Sequence, residues 1–391
     1  MIANSSQPIN KRIGLLVFPL RNPDEECGQG FISQLVALLA PLVQEIIVIT
    51  GNLRASLPYD DVRIINVKAP IVRKVQESAF SKTLRFLLAQ FTLSSQVIRQ
   101  SKKVDIIALY LSAGLLLLPL FLARLLGKKV VIVTTGSGSQ SLRAMYPNSS
   151  GRTYSAVVRL IEHLDYSLAN KIVVYSPALV NDLGLEKYKN KISIAHKHFI
   201  DFDKFKLEKP LNERCNVVGY IGRLSEEKGI LNFMEAILKV LDLKGNIRFL
   251  IGGAGQLRGK VEQHLCDQNL GDKAKFVGWI PHDELPEYLN DLKLVVLPSY
   301  TEGLPNIMLE AMACGTPVLA TPVGAIPDII KDGKTGFIME NNSPQCIAAN
   351  IIRALNHRDL EQITQNARTL VQREFTYEKV VERYKEILYS L

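Results

Sequence analysis

The sequence predicts an α/β protein made of two doubly wound, mostly parallel sheets in succession. Short apolar runs rich in Val and Ile alternate with helix-period segments along the chain. That is the pattern of βαβ units whose strands are buried on both faces. The alternation breaks once, at a polar stretch containing Pro210, and then begins afresh. At 391 residues the chain is long enough for two or three separate cores.

In the first half, RIGLLVF is the opening strand, followed by a polar loop through Gly28-Gln29-Gly30 and a helix from about Phe31. EIIVIT, VRIINV, DIIALYL, KVVIVTT and KIVVYS are further strands. The apolar run Ile106 to Leu126 approaches the roughly 20 residues of a membrane span. Its Gly114 and Pro119 fall where a strand-to-helix turn belongs, and GKKVVIV restarts a strand at once, so a buried strand followed by a buried helix is expected. The stretch KISIAHKHFIDFDKFKLEKPLNERC reads as a linker. NVVGYIG, NIRFLIGG, KAKFVGW, KLVVLPS and PVLATP then follow as strands, with helices from about Gly229 and Leu257, a short one in DELPEYLNDL and another through EAMACG. The tail FTYEKVVERYKEILYSL reads as a closing amphipathic helix. The expected domains are 1–205, 206–372 and a closing helix over 373–391. A ligand cleft between the two domains, at the carboxyl ends of the strands, is the expectation for such a pair.

Composition narrows the class. Hydrophobic residues make up 47% of the chain and aromatics 7%, as in a soluble α/β protein. Five cysteines without a CxxC pair offer no zinc or disulfide framework, which points to a reducing, cytoplasmic setting. Lys11 and Arg12 precede only a short apolar run that Pro19 stops, so no signal peptide is expected. The net charge of +9 is unevenly spread. Residues 1–209 hold 27 Lys and Arg against 15 Asp and Glu, whereas the remainder holds 20 against 23. Between Lys68 and Lys103, eight cations face Glu77 alone, and Phe80, Leu84, Leu87, Leu88, Phe91 and Leu93 form an apolar stripe at helical spacing. A basic amphipathic segment of this kind suits an anionic membrane surface; as an ordinary helix it would turn the stripe to the core. No nucleic-acid module is recognisable, so nucleic acid is not an expected partner.

The chemistry concentrates in the second half. Pro298 to Pro317 reads PSYTEGLPNIMLEAMACGTP, with Glu302 and Glu310 separated by seven residues. A strand, a Gly303-Leu304-Pro305-Asn306 turn and a helix start present free N–H groups and a positive helix end to an anion. Pro305 suits the first helical position, which needs no N–H. Glu310 lies about 7.5 Å further along the helix axis, so the two acids reach different parts of one elongated polar ligand. Upstream, Gly222-Arg223-Leu224-Ser225-Glu226-Glu227-Lys228-Gly229 follows a strand and precedes a helix. The planar fork of Arg223 and the point charge of Lys228 suit a diphosphate clamp that works without a metal.

In order along the chain, Gly222-Arg-Leu-x-x-x-Lys228-Gly, Gly252-Gly253-x-Gly255, Phe276-Val-Gly278, and Glu302-x7-Glu310 followed by Ala311-x-Ala313-x-Gly315-x-Pro317-Val318 resemble the donor domain of retaining glycosyltransferases of family 4, which have the GT-B fold. The resemblance is strong from Val217 to the C-terminus and weak before it. It implies a metal-independent, retaining hexosyltransferase with no cofactor, using a nucleoside-diphosphate-sugar as donor and a lipid-linked or glycan acceptor. Polysaccharide, lipopolysaccharide or glycolipid synthesis at the cytoplasmic membrane face is the setting it implies. Arg223 and Lys228 would hold the diphosphate, Glu302 would contact the transferred sugar, and the turn Gly303, Leu304, Pro305, Asn306 would meet sugar hydroxyls or the distal phosphate. Glu310 would accept from the ribose. Gly222 and Gly253 would line the donor, and backbone around Val277, Gly278 and Ile280 would read the base. Gly28 and Gly30 resemble the family's glycine-rich loop.

The chain departs from the family at Thr135, where a histidine is common; Thr135 and Ser137 are therefore the acceptor-side candidates. The usual Asn-Gly-Val-Asp reads His198-Phe199-Ile200-Asp201, which makes His198 a structural residue by expectation. Asp201-Phe202-Asp203 is a DxD sited in the linker, so no metal site is assigned to it. Gly253-x-Gly255-x-x-x-Gly259 is one residue too long for a dinucleotide fingerprint, and no acid ends the next strand. A nucleotide-sugar epimerase or glycosyl phosphorylase of the same fold, or a non-catalytic nucleotide-sugar-binding or membrane-adaptor protein, are the alternatives.

Overall fold

The computed structural model describes residues 8–17, 27–50, 59–67, 79–110, 116–139 and 149–391, with the side chains of 27–31, 66, 79–86 and 149–151 left aside. The chain divides into two compact units, Met1–Lys197 with Val380–Leu391, and His198–Lys379. The boundary lies a few residues before the 205/206 position read from the sequence, and most of the tail belongs to the first unit.

The first unit contains β1 (Ile9–Val17), α1 (Cys27–Leu39), β2 (Val43–Thr50), β3 (Val62–Asn66), α2 (Ala79–Gln100), β4 (Ile106–Tyr110), α3 (Leu117–Leu125), β5 (Lys129–Thr134), α4 (Ser149–Leu168), β6 (Lys171–Val174), α5 (Pro177–Asp182) and β7 (Ile192–Ile194). Its seven strands run parallel in the order β3-β2-β1-β4-β5-β6-β7. β4 and β5 are buried along almost their whole length, which explains their unbroken apolar sequences.

Three expectations change here. Gly28 and Gly30 lie in helix, since α1 runs from Cys27 rather than from about Phe31. The buried face of Ile32, Leu35, Val36 and Leu39 outweighs the weak helix preference of two glycines near a helix start. The first residues of the expected linker form β7, which completes the sheet edge by pairing with β6. Finally, α2 carries apolar residues on two faces: Leu93 and Val97 are buried, whereas Leu87, Leu88 and Phe91 are exposed. Of the basic stretch Lys68 to Lys103, residues 68–78 lie outside the described residues, as do Ser112 and Gly114.

The second unit contains β8 (Val217–Ile221), α6 (Ile230–Leu243), β9 (Arg248–Gly252), α7 (Arg258–Asp267), β10 (Ala274–Gly278), α8 (Leu285–Asp291), β11 (Leu294–Leu297), α9 (Asn306–Ala313), β12 (Val318–Ala320), α10 (Ile326–Ile329), β13 (Phe337–Ile338), α11 (Pro344–Leu355) and α12 (Leu360–Glu374). The parallel strand order is β10-β9-β8-β11-β12-β13. The core is built on Val218, Phe233, Phe249, Val296 and Phe337, all buried. The order reverses between β8 and β11. Chains leaving the carboxyl ends of two such neighbours diverge to opposite sides, and the crevice between them is where ligands bind in open α/β sheets.

The last helix, α13 (Tyr377–Tyr389), buries Val380, Tyr384, Ile387 and Leu388. In the first unit, Arg383 lies 2.9 Å from His196 Nε2, and Lys11 Nζ donates to the Leu388 carbonyl at 3.1 Å. No described helix is long and apolar enough to cross a membrane.

Candidate functional site

The crevice where β8 and β11 part is lined by the loops that the sequence singles out. The loop after β8 ends in a short 3-10 turn, Glu226–Lys228, and a left-handed Gly229. A Cβ on Gly229 would stand 2.0 Å from the Pro298 carbonyl oxygen, so only glycine permits this approach. The amide of Tyr300 donates to the Glu227 carbonyl at 2.9 Å, locking the two loops together. As a result Lys228 Nζ donates to Glu302 Oε1 at 2.7 Å, with side-chain exposures of 25% and 9%. Ser299 Oγ donates to the same oxygen at 2.8 Å. One of the three ammonium protons is thus engaged by Glu302, and the geometry of an ammonium leaves two for another acceptor.

Arg223 sits on the same loop, its guanidinium 3.5 Å from Glu227 and partly exposed. Its carbonyl accepts a 2.7 Å hydrogen bond from the buried Tyr220 phenol. Burial pushes that phenol above its ordinary pKa, so it remains a donor. The loop rests on the turn after β9. A Cβ on Gly253, at φ +136°, would fall 1.8 Å from the Gly222 carbonyl oxygen. Gly253 N also donates to Gly278 O at 2.6 Å, which brings Gly222, Gly253 and Gly278 into one backbone contact. Ile280, two residues on, is buried, whereas Trp279 between them is exposed.

The turn after β11 holds Gly303 by its carbonyl, which accepts from Ala325 N at 2.8 Å, and Leu304 by burial of its side chain. Pro305 is the N-cap of α9, one place before the expected first helical position, and no side chain caps the helix. A proline N-cap can offer neither an N–H nor a side-chain acceptor, so the first-turn amides keep the polarity that favours an anion. The Asn306 side chain meets His198 Nδ1. His198, read from the sequence as structural, therefore touches the helix start at the site.

Glu310 is buried five residues into α9, and its Oε1 lies 2.9 Å from His282 Nε2. Lys204 Nζ lies 3.0 Å from the other ring nitrogen and forms an ion pair with Asp283. An ammonium only donates, so His282 Nδ1 is the acceptor and Nε2–H points at Glu310. His282 and Lys204 are missing from the sequence reading. Their signal was slight: one histidine just past KAKFVGW, and a lysine beside the DxD. Asp201 of that DxD closes a turn, accepting from the amides of Asp203 and Lys204 at 3.1 and 3.2 Å.

Thr135 and Ser137 belong to the first unit, on the loop after β5. The loop is tied to one buried carboxylate, Glu162 of α4. It accepts from Ser137 Oγ at 3.0 Å, Gly138 N at 2.7 Å, Ser139 N at 3.3 Å and Ser139 Oγ at 2.8 Å. A cavity of about 270 Å³ opens beside it, lined by Ser137, Ser139, Arg159, Glu162, His163 and Tyr166 among others. Burial, with Lys187 and Arg159 nearby, lowers the His163 pKa and favours the neutral ring. Of the two candidates, Ser137 belongs to this group.

Residues 201–370, almost all of the second unit, match the family description Glycosyl transferases group 1. The amylovoran biosynthesis glycosyltransferase AmsK of Erwinia amylovora is 30% identical over 201 residues, 49% of each chain. The capsular polysaccharide biosynthesis glycosyltransferase CapM of Staphylococcus aureus is 29% identical, over 59% of this chain and 64% of that one. The chain thus spans about half to just under two thirds of these relatives. In three dimensions it is similar to a sucrose-phosphate synthase from Thermosynechococcus elongatus, with a TM-score of 0.75 at 19% identity over 97% of this chain and 99% of that one. It is also similar to Anabaena HepE in complex with UDP and glucose, with a TM-score of 0.69 at 15% identity over 98% and 100%. At such identities the likeness is one of fold, and the fold is GT-B.

Proposed function

We propose, on the premise that residues 201–370 are a glycosyl transferases group 1 domain, that this chain moves a sugar from a nucleoside-diphosphate-sugar to an acceptor hydroxyl with retention of configuration. The observation that carries the reading is the Lys228–Glu302 pair at the β8/β11 crevice, beside the uncapped start of α9 and the buried Glu310. A cation for the diphosphate, a carboxylate for the sugar, helix-start amides and a second carboxylate for the ribose stand in one unit.

The protein's part is positioning and electrostatics. Arg223 and Lys228 stabilise the departing diphosphate, and Glu302 and the Gly303–Asn306 turn orient the sugar. The acceptor hydroxyl attacks the anomeric carbon on the face that the diphosphate leaves. The carbon–oxygen bond to the phosphate breaks as the new glycosidic bond forms, and the leaving phosphate oxygen takes the acceptor proton. No residue of this chain becomes covalently attached. The acceptor is lipid-linked or a growing glycan, in polysaccharide, lipopolysaccharide or glycolipid synthesis at an anionic, cytoplasmic membrane face. The names of the Erwinia and Staphylococcus relatives support the polysaccharide part of that reading, and the UDP bound by HepE makes UDP-sugars the first donors to test.

A thermal-shift screen against UDP-, GDP-, ADP- and dTDP-sugars tests the donor class, because a ligand that binds the folded state raises its melting temperature. Stabilisation by one nucleotide-sugar series is expected; no shift with any of them removes the donor site. NMR of the first-formed product tests retention, and an inverted anomer sinks it.

A further inference from the structure

The outward faces of α2, α3 and α4 carry the largest group of exposed apolar side chains among the described residues. Eleven of the seventeen large apolar side chains exposed there lie on these three helices or on the cap of α3. Phe91 and Ile98 on α2, Phe121 and Leu125 on α3, and Val157 and Leu160 on α4 are each half or more exposed. The topology makes them one surface. The steps β3→α2→β4, β4→α3→β5 and β5→α4→β6 all run the same way across the sheet. Right-handed crossovers therefore put all three helices on one face, and α3 packs against both of its neighbours.

Among the described residues the charge on this face has a single sign. The only carboxylates in the three helices are Glu162 and Asp165, and both are buried. Arg99, Arg124, Arg152 and Arg159 are exposed, as are Lys102 and Lys103 where α2 ends, and Lys128 just past α3 is half-buried. A monomer rarely leaves so contiguous an apolar area to water without a use for it. Apolar residues interspersed with cations, and no exposed anion, match the acyl boundary and headgroups of an anionic bilayer. A two-fold pairing of this face with a second copy would set cations against cations with no carboxylate to answer them.

We infer that the α2–α3–α4 face docks on an anionic lipid bilayer, a step that rests on the membrane-facing part of the proposed function and adds the surface that does it. The test uses the full chain and vesicles of phosphatidylcholine, with or without an equal part of phosphatidylglycerol. Flotation with the anionic vesicles only is expected. The double substitution Phe121→Ser with Leu125→Ser, at exposed positions, should lower bound protein by roughly tenfold or more, as should Arg99→Glu with Lys102→Glu. Unchanged flotation in both variants, or none in the wild type, overturns the inference. So does a dimer by light scattering that the same substitutions dissolve. The donor thermal shift is measured in parallel. Vesicle binding without a donor shift sinks the transferase reading and keeps the surface; the reverse result sinks the surface alone.

Discussion

Lys228 and Glu302 share a 2.7 Å ion pair across 74 residues of sequence. The neighbouring strands β8 and β11 end side by side, and the left-handed Gly229 lets one loop settle on the other. In the absence of donor each charge answers the other, which lowers the cost of keeping a nearly buried carboxylate ready for a sugar.

Replacing the lysine removes the cation proposed to face the diphosphate. Lys228→Ala should lower turnover by roughly 100- to 1000-fold while its far-UV circular dichroism stays that of the wild type. Initial rates with the donor found by thermal shift measure this. Wild-type turnover in the variant would withdraw the clamp from Lys228.

Glu310 and its partner His282 give a graded expectation. Glu310→Gln should weaken donor binding by about 1 to 3 kcal/mol, the usual worth of a hydrogen bond to a charged group. His282→Ala, which only frees the carboxylate to rotate, should weaken it by less. Calorimetry with the nucleotide and its deoxyribose analogues distinguishes the roles. If Glu310 reads the ribose, the Gln variant no longer discriminates between them; discrimination equal to wild type refutes it.

Gly253 has no room for a side chain. Gly253→Ala would drive a methyl group into the Gly222 carbonyl at a backbone angle that L-residues avoid. A loss of about 2 to 4 kcal/mol in unfolding free energy is expected, with a donor affinity reduced alongside it. Urea denaturation checks the first. A variant as stable as wild type would show that the two loops are free to part.

A pH effect resides in the first unit. Lys197 is 3% exposed, donates to Gln34 at 2.8 Å, and burial lowers its pKa to about 8. In the unfolded chain it returns to about 10.4. Between those values the unfolded state binds more protons, so this group makes stability rise with pH from about 8 to about 10, by on the order of 1 to 3 kcal/mol. Below about pH 8 both states are protonated and the contribution is flat. Denaturation curves at pH 7 and at about pH 10 should show the rise in wild type and a smaller one in Lys197→Met. An identical pH dependence in both proteins would assign it elsewhere.

Local sequence was sufficient for the two parallel sheets, because strands buried on both faces are apolar without interruption and helices keep their own period. It also singled out Lys228, Glu302 and Glu310 as candidates, since a glycine turn opening a helix is a local arrangement with a chemical consequence. The partnerships were beyond it. That Lys228 meets Glu302, that His282 turns its Nε2–H to Glu310, that His198 reaches Asn306 and that Glu162 gathers the Ser137–Ser139 loop depend on strand order and loop packing between segments far apart in the chain. The membrane-facing expectation divides the same way. Charge and apolar spacing marked α2, but a helical period cannot say which of two apolar faces the core will cover. Only the packing of α2, α3 and α4 side by side decided that Leu93 turns inward and that Phe91, Leu125 and Leu160 remain outside.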